Sequence, residues 1–268
     1  MKHWLWKRLV FFFSCPTFLT ALKLRWGGKR NEKFILDESL FEKFPEAEIK
    51  YFTVDGINNH VDENDDPYFE KLLADAKEES KKFIQDETFR NNPVVASWRK
   101  VYQQFKKKKG ARSSIEAMLK RVSQDRDFKP IIPLVDLYNS ISLRYGVPCG
   151  GEDLDQMDGD MHLGVTAGGD EFWPLGADDS EPTLPGEVCY YDQGGAICRC
   201  WNWREAKRTM LTEETTHAVL VTEAATKEQA ANMEAAMEDL RKLVSDFFKV
   251  EPSEIITLNH DNPSGEMK

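Results

Sequence analysis

The sequence predicts an α+β fold in which mixed or antiparallel sheets carry flanking helices. Three observations lead there. Within 131–169, Leu134, Leu137, Tyr138, Ile141 and Tyr145 recur at helical steps, and Met161-His162-Leu163-Gly164-Val165 then alternates as a strand does. Runs at 187–192 and 196–203 flank Gln193-Gly194-Gly195, a hairpin turn that makes at least part of a sheet antiparallel. Stretches 67–89, 94–108 and 227–248 each carry an apolar stripe with a polar or charged opposite face, as surface helices do.

Composition sets the outer limits. A chain of 268 residues holds one large domain or two small ones, and 41% hydrophobic content with seven Trp describes a globular protein. A net charge of −10 argues against a generally nucleic-acid-coating surface but leaves room for a local basic patch. Five unevenly spaced cysteines imply reduced thiols and a cytoplasmic protein rather than a disulfide framework. Cys198 and Cys200 lack a second pair and a nearby His, so no zinc site is expected.

Taken in order, residues 1–32 read as an extension outside the fold. Their basic start and apolar run resemble a signal peptide, yet Ser14, Cys15 and Pro16 interrupt the run and no clear cleavage site follows. An over-long start is preferred there, with export as the alternative. A domain is expected over 33–250, followed by a flexible tail at 251–268. It opens with a strand at 33–36, a short helix at 38–44 stopped by Pro45, and a strand at 49–54. Next come the helices at 67–89 and 94–108, the latter ending in Lys106, Lys107, Lys108 and Lys109. Ser113 or Ser114 caps another helix, with Glu116 in its first turn.

The helix of the 131–169 segment ends at Gly146 and is kept from resuming by Pro148. Gly150-Gly151 then reads as a loop that offers bare backbone N–H groups. Strands follow at 161–165, 171–175, 187–192, 196–203 and 217–223. Thr226 and Gln229 make a capping box for the helix at 227–248. The acidic stretches at 60–66 and 153–160 miss EF-hand spacing, so no metal is predicted, and no motif calls for a cofactor.

The run VDLYNSISLRYGVPCGGEDLDQMDGD resembles the B3/B4 (B3/4) domain of the phenylalanyl-tRNA synthetase beta subunit, a tRNA-binding, editing-type domain with stand-alone copies. The synthetase version reads roughly VD-x-TN and then Gly-x-Pro-x-His-x-x-Asp. Here Val135-Asp136, Asn139, Gly146, Pro148 and Asp153 match, while Gly150 stands where the synthetase has its loop histidine. The resemblance extends over 34–223, with a second block at Cys198-Arg199-Cys200-Trp201-Asn202-Trp203-Arg204, Thr215-Thr216 and Glu223.

The resemblance implies a pocket for the amino acid on the end of a tRNA. In the synthetase a glutamate near the end of the last strand works with the loop histidine to tell tyrosine from phenylalanine. Glu223 is its nearest counterpart, with Thr222 as the rival across a one-residue slip. Losing the histidine removes the basis for tyrosine specificity without forbidding ester hydrolysis.

Candidate catalytic residues are therefore Glu223, His217, Asn202, Gly150 and Gly151, with His162 as a weaker histidine. Asn139, Pro148, Asp153, Trp201, Arg204 and Thr215 are candidate substrate contacts, Trp201 and Trp203 forming an aromatic wall on one strand face. Lys106, Lys107, Lys108, Lys109, Arg112 and Arg121 are candidate RNA-phosphate contacts.

Two function classes stand. One is a free-standing hydrolase of mischarged aminoacyl-tRNA, serving translation fidelity. The other is a non-catalytic module for RNA or an amino-acid- or nucleotide-like ligand. A pocket-keeping metabolic or stress protein is a third. The expected partner is aminoacylated tRNA, without a membrane, and the oligomeric state is not legible.

Overall fold

Two sheets lie face to face, and a helical layer covers the outer side of the second. The computed structural model describes residues 32–268. In chain order the first elements are β1 (Glu32–Leu36), α1 (Glu38–Phe41), β2 (Glu48–Asp55), α2 (Asp66–Ser80), α3 (Pro93–Val101), α4 (Ser114–Ser123) and α5 (Pro133–Tyr145). Then come β3 (Cys149–Asp153), β4 (Met161–Val165), β5 (Val188–Asp192), β6 (Gly195–Arg199), β7 (Arg204–Glu205) and β8 (His217–Ala224). The chain closes with α6 (Lys227–Ala230), α7 (Met233–Phe248), β9 (Ile256–Leu258) and β10 (Ser264–Met267).

The first sheet runs β10-β1-β4-β5-β6-β7, with β1 and β4 parallel and the other neighbours antiparallel. The second runs β3-β8-β2-β9 and is antiparallel throughout. The α+β class with mixed and antiparallel sheets is the one the sequence predicts.

Strand alternation explains the layering. On β2, Ile49 and Tyr51 join the cluster between the sheets, while Phe52 and Val54 join the cluster under α2, α5 and α7. On β8, Val219 and Val221 take the first side, Ala218 and Leu220 the second. Burial on both faces is why these strands are nearly continuous apolar runs.

α5 leads into the site and is fixed at both ends. Its N-terminal Leu134 N–H donates to Asn59 Oδ1 at 2.9 Å, a cap supplied from a distant loop. It stops at Gly146, in the left-handed region at φ 68°, where an added Cβ would lie 2.9 Å from the Phe83 ring.

Several boundaries differ from expectation. Strands occupy the stretch expected as a tail: β9 pairs with β2 and β10 with β1, and Leu258 and Met267 enter the core. Its polar composition reflects edge strands, which present one side to water. The α3 helix ends at Val101 because Phe105 turns into the core and Lys106 N–H bonds the Gly186 carbonyl, so the lysine run lies off the helix. Residues 171–175 form no strand, only an isolated bridge between Pro174 and Ala206. The helix expected at 227–248 is broken into α6 and α7. The reading of 1–32 as an extension lies outside the described residues, except for Glu32, which opens β1.

Candidate functional site

A cavity of about 370 Å3 lies between the sheets, where β3 and β8 face β5, β6 and β7. Alternation puts Gly150 and Glu152 of β3, and Val221 and Glu223 of β8, on the inward side. Tyr190, Cys198 and Glu205 form the opposite wall, and Ser114 at the start of α4 closes one end.

At one end Glu223 is 4% exposed and accepts a short hydrogen bond from the Tyr190 hydroxyl. Asn202 sits beside it with its amide orientation fixed. Asn202 Oδ1 accepts from the Ser114 backbone N–H and from the Tyr102 hydroxyl, both at 3.1 Å. A backbone N–H can only donate, so the amide NH2 must point the other way. Asn202 Nδ2 and the buried Trp201 Nε1 make no hydrogen bond of good geometry, though both lie near enough to the Glu223 carboxyl to favour its ionised form. Burial pushes the Glu223 carboxyl up to about 7, although Tyr190, Asn202 and Trp201 all act to lower it.

Farther along are two more carboxyls. Glu152 is buried, and its Oε2 has no partner. Burial first, and then the negative charge of Glu205, drive its pKa well above the ordinary carboxylate range. Glu205, half-buried at the cavity wall, is raised to about 7 by burial. Arg208 lies close enough to oppose the Glu152 shift, but its guanidinium is held by Asp192 at 2.6 and 2.9 Å.

Of the predicted catalytic residues, Glu223, Asn202, Gly150 and Gly151 line this cavity. Glu223 rather than Thr222 faces inward; the Thr222 hydroxyl donates to the Pro148 carbonyl at 2.8 Å. Gly150-Gly151 is not a loop but part of β3, in register with Val221 and Leu220. The pair is thus laid against a neighbouring strand instead of standing bare. Gly151 serves close packing, since a Cβ there would meet the Val219 carbonyl at 3.0 Å, whereas Gly150 has room, its nearest neighbours lying 3.9 to 4.0 Å away.

His217 is not in the cavity. It begins β8, six residues from Glu223 or ~20 Å along the strand, with its Nδ1 3.8 Å from Asp155. His162 is elsewhere too, bonded at 2.9 Å to Asp37 and stacked on Tyr191.

Among the predicted substrate contacts, Arg204 lines the cavity at its mouth, with its guanidinium over the ring of Trp203, the half of the expected aromatic wall that also lines it. Trp201 does not share a strand face with Trp203. Cys200 and Trp201 have φ of 50° and 65°, so β6 ends at Arg199 and a turn leads to β7. Trp201 is core, edge-on to Phe44 and Trp98. Asp153 and Thr215 bond each other at 2.7 Å away from the cavity, Asn139 lies half-buried on α5, and Pro148 borders a smaller cavity of about 140 Å3.

Sequence reasoning missed Glu152, Glu205 and Tyr190. Once 149–153 is read as extended, period-two spacing from Gly150 puts Glu152 inside, and that signal was present.

The basic segment is partly spent on structure. Lys107 Nζ donates to the Tyr102 carbonyl at 2.6 Å, Lys108 pairs with Glu181, and Arg121 donates to the Asp127 carbonyl at 2.7 Å. Lys106, Lys109 and Arg112 are exposed, and the segment runs directly into Ser114 at the cavity.

Cys149, Cys189, Cys198 and Cys200 are free and buried; Cys15 lies outside the described residues. No group of three or more metal-ligating side chains occurs among the described residues, and no described helix is long and apolar enough to cross a membrane.

Comparison with known proteins matches residues 97–249 to a family described as the B3/4 domain. Among solved structures, an N-terminal fragment of the phenylalanyl-tRNA synthetase beta-subunit from Pyrococcus horikoshii is similar, at 12% identity and a TM-score of 0.47. The match covers 84% of this chain and 51% of that one, so the chain spans about half the fragment's length. Comparison with curated proteins found no match.

Proposed function

The chain belongs to the B3/4 domain family, and from that premise we propose that it hydrolyses the ester of a mischarged aminoacyl-tRNA in the cavity between its sheets. The observation that carries the reading is the Glu223–Asn202 end, where a buried carboxyl raised to about 7 lies beside an amide NH2 that is near it but makes no hydrogen bond of good geometry. Glu223 in its ionised form takes a proton from water as that water attacks the ester carbonyl carbon. Asn202 Nδ2 donates to the oxygen as it becomes an oxyanion. Collapse breaks the bond to the terminal ribose oxygen, which receives the proton, releasing free amino acid and uncharged tRNA.

The test is a panel of mischarged tRNAs incubated with the full chain and scored for loss of ester. At least one species should be deacylated, and Glu223→Gln and Asn202→Ala should each slow that reaction by about 100-fold or more, in the range known for removing one oxyanion donor. The placement of Gly150-Gly151 in β3 favours a second reading, a ligand-binding module without chemistry, because pairing with β8 commits part of the backbone donors expected of a loop. Tight tRNA binding with every ester left intact would select it.

A further inference from the structure

The Glu152–Glu205 end of the cavity carries charge that ester hydrolysis does not require. Glu152 is 7% exposed, and its Oε2 has no hydrogen-bond partner. A buried carboxylate oxygen in that state is costly unless something supplies donors. No cation in the protein fills that role: the Thr209 hydroxyl lies near Glu152 but is neutral, Arg208 is engaged by Asp192, and Arg204 is exposed over Trp203 at the mouth. Glu205 reaches toward the same space, its Oε1 lying 4.0 Å from where a Cβ on Gly150 would be, so the absent side chain leaves the gap open. Around the carboxyls the lining is apolar, from Met161, Leu175 and Val221.

We propose that this end receives the side-chain cation of a basic aminoacyl group, an ammonium or guanidinium held between Glu152 and Glu205 with its methylene stem along the apolar lining. The proposal rests on the ester-hydrolysis reading and names the substrate class of that site. Spacing supports it. Glu152 is in register with Val219, four residues from Glu223 on β8, or ~13 Å between Cα positions along the strand. Glutamate side chains reaching inward from both ends leave a gap that a three- or four-carbon stem bridges. A neutral side chain of the same length fills the gap but leaves two desolvated carboxyls without a cation, so the site selects against it.

The full chain is titrated at pH 8, above the value of about 7 to which Glu205 is raised, with L-lysinamide, L-argininamide, L-norleucinamide and L-phenylalaninamide. Norleucinamide is lysinamide without the terminal ammonium. Lysinamide or argininamide should bind at least tenfold more tightly than either neutral amide, and Glu152→Gln and Glu205→Gln should each erase that difference. Both variants are isosteric; if Glu152→Gln fails to fold by circular dichroism, Glu205→Gln reads the same contact. Lysyl-, arginyl- and phenylalanyl-tRNA are then compared for deacylation.

Equal binding of all four amides, or a preference unchanged in the folded variants, overturns the proposal. Deacylation confined to the phenylalanyl ester overturns it too, while leaving the hydrolase reading in place. Carboxylate-dependent binding of the basic amides with no ester cleaved upholds cation recognition and overturns hydrolysis instead.

Discussion

Glu223 is a carboxyl whose burial and function pull in opposite directions. Burial raises its pKa from 4.5 to about 7, so the folded state holds its proton more tightly than the unfolded chain. The stability this contributes is complete below the unfolded value near 4.5 and is lost as pH rises through about 7, up to about 3 kcal/mol for a shift of this size. A general base has the reverse need and works only when ionised. Deacylation, corrected for the spontaneous rate, should therefore rise with pH through about 7 while the melting temperature falls. In Glu223→Gln the rise should disappear and the fall should shrink, Glu205 still contributing its part. A rate flat across pH 6 to 8 in the wild type would remove Glu223 from the role of base. The residue itself was legible as a glutamate ending an apolar strand. Its inward direction was not, because a slip to Thr222 inverts the face and only pairing of Gly150 with Val221 settles the register.

At the scale of elements, the turn between β6 and β7 delivers Asn202, and a buried ion pair anchors that turn. Arg199 Nε and one terminal NH2 donate to Glu187 at 2.9 and 2.7 Å, and Glu187 also accepts from the Cys200 N–H at 3.0 Å. The interaction outweighs burial, for the Glu187 carboxyl is held below its ordinary value although desolvation alone would raise it. Glu187→Ala leaves Arg199 charged and unpaired in the core, so it should cost roughly 3–5 kcal/mol in urea unfolding. It should also blunt catalysis by releasing the turn that aims Asn202. Unchanged stability would mean that the pair contributes little. Sequence alternation across 196–203 predicts a continuous strand and so misses this turn. The left-handed backbone at Cys200 and Trp201 has no glycine or asparagine to announce it. The same blindness made Gly150-Gly151 a loop, since a Gly-Gly pair has poor strand propensity and becomes β3 only because β8 lies beside it.

Across the whole molecule, the order of strands was the least legible feature. β1 pairs with β10 over more than two hundred residues of chain, and no local pattern encodes such a partner. Charge distribution, by contrast, is readable from the sequence. A chain of net charge −10 repels RNA on average, so a tRNA must be received where positive side chains cluster. The 106–112 segment meets that need next to the cavity. Lys106, Lys109 and Arg112 are exposed, whereas Lys107 and Lys108 are tied to Tyr102 and Glu181. The two sets should separate in experiment. Changing Lys106, Lys109 and Arg112 to glutamine should weaken tRNA binding and flatten its salt dependence, each lost phosphate contact lowering the slope by about 0.7–0.9. Melting temperature and lysinamide binding should stay as in the wild type, because none of the three lines the cavity. Changing Lys107 and Lys108 instead should disturb the turn after α3, whose C-terminal Tyr102 also holds Asn202 in place. Equal loss of tRNA affinity from both sets would spread the contact along the run. An unaltered slope in the exposed set would put the RNA surface on another face of the molecule.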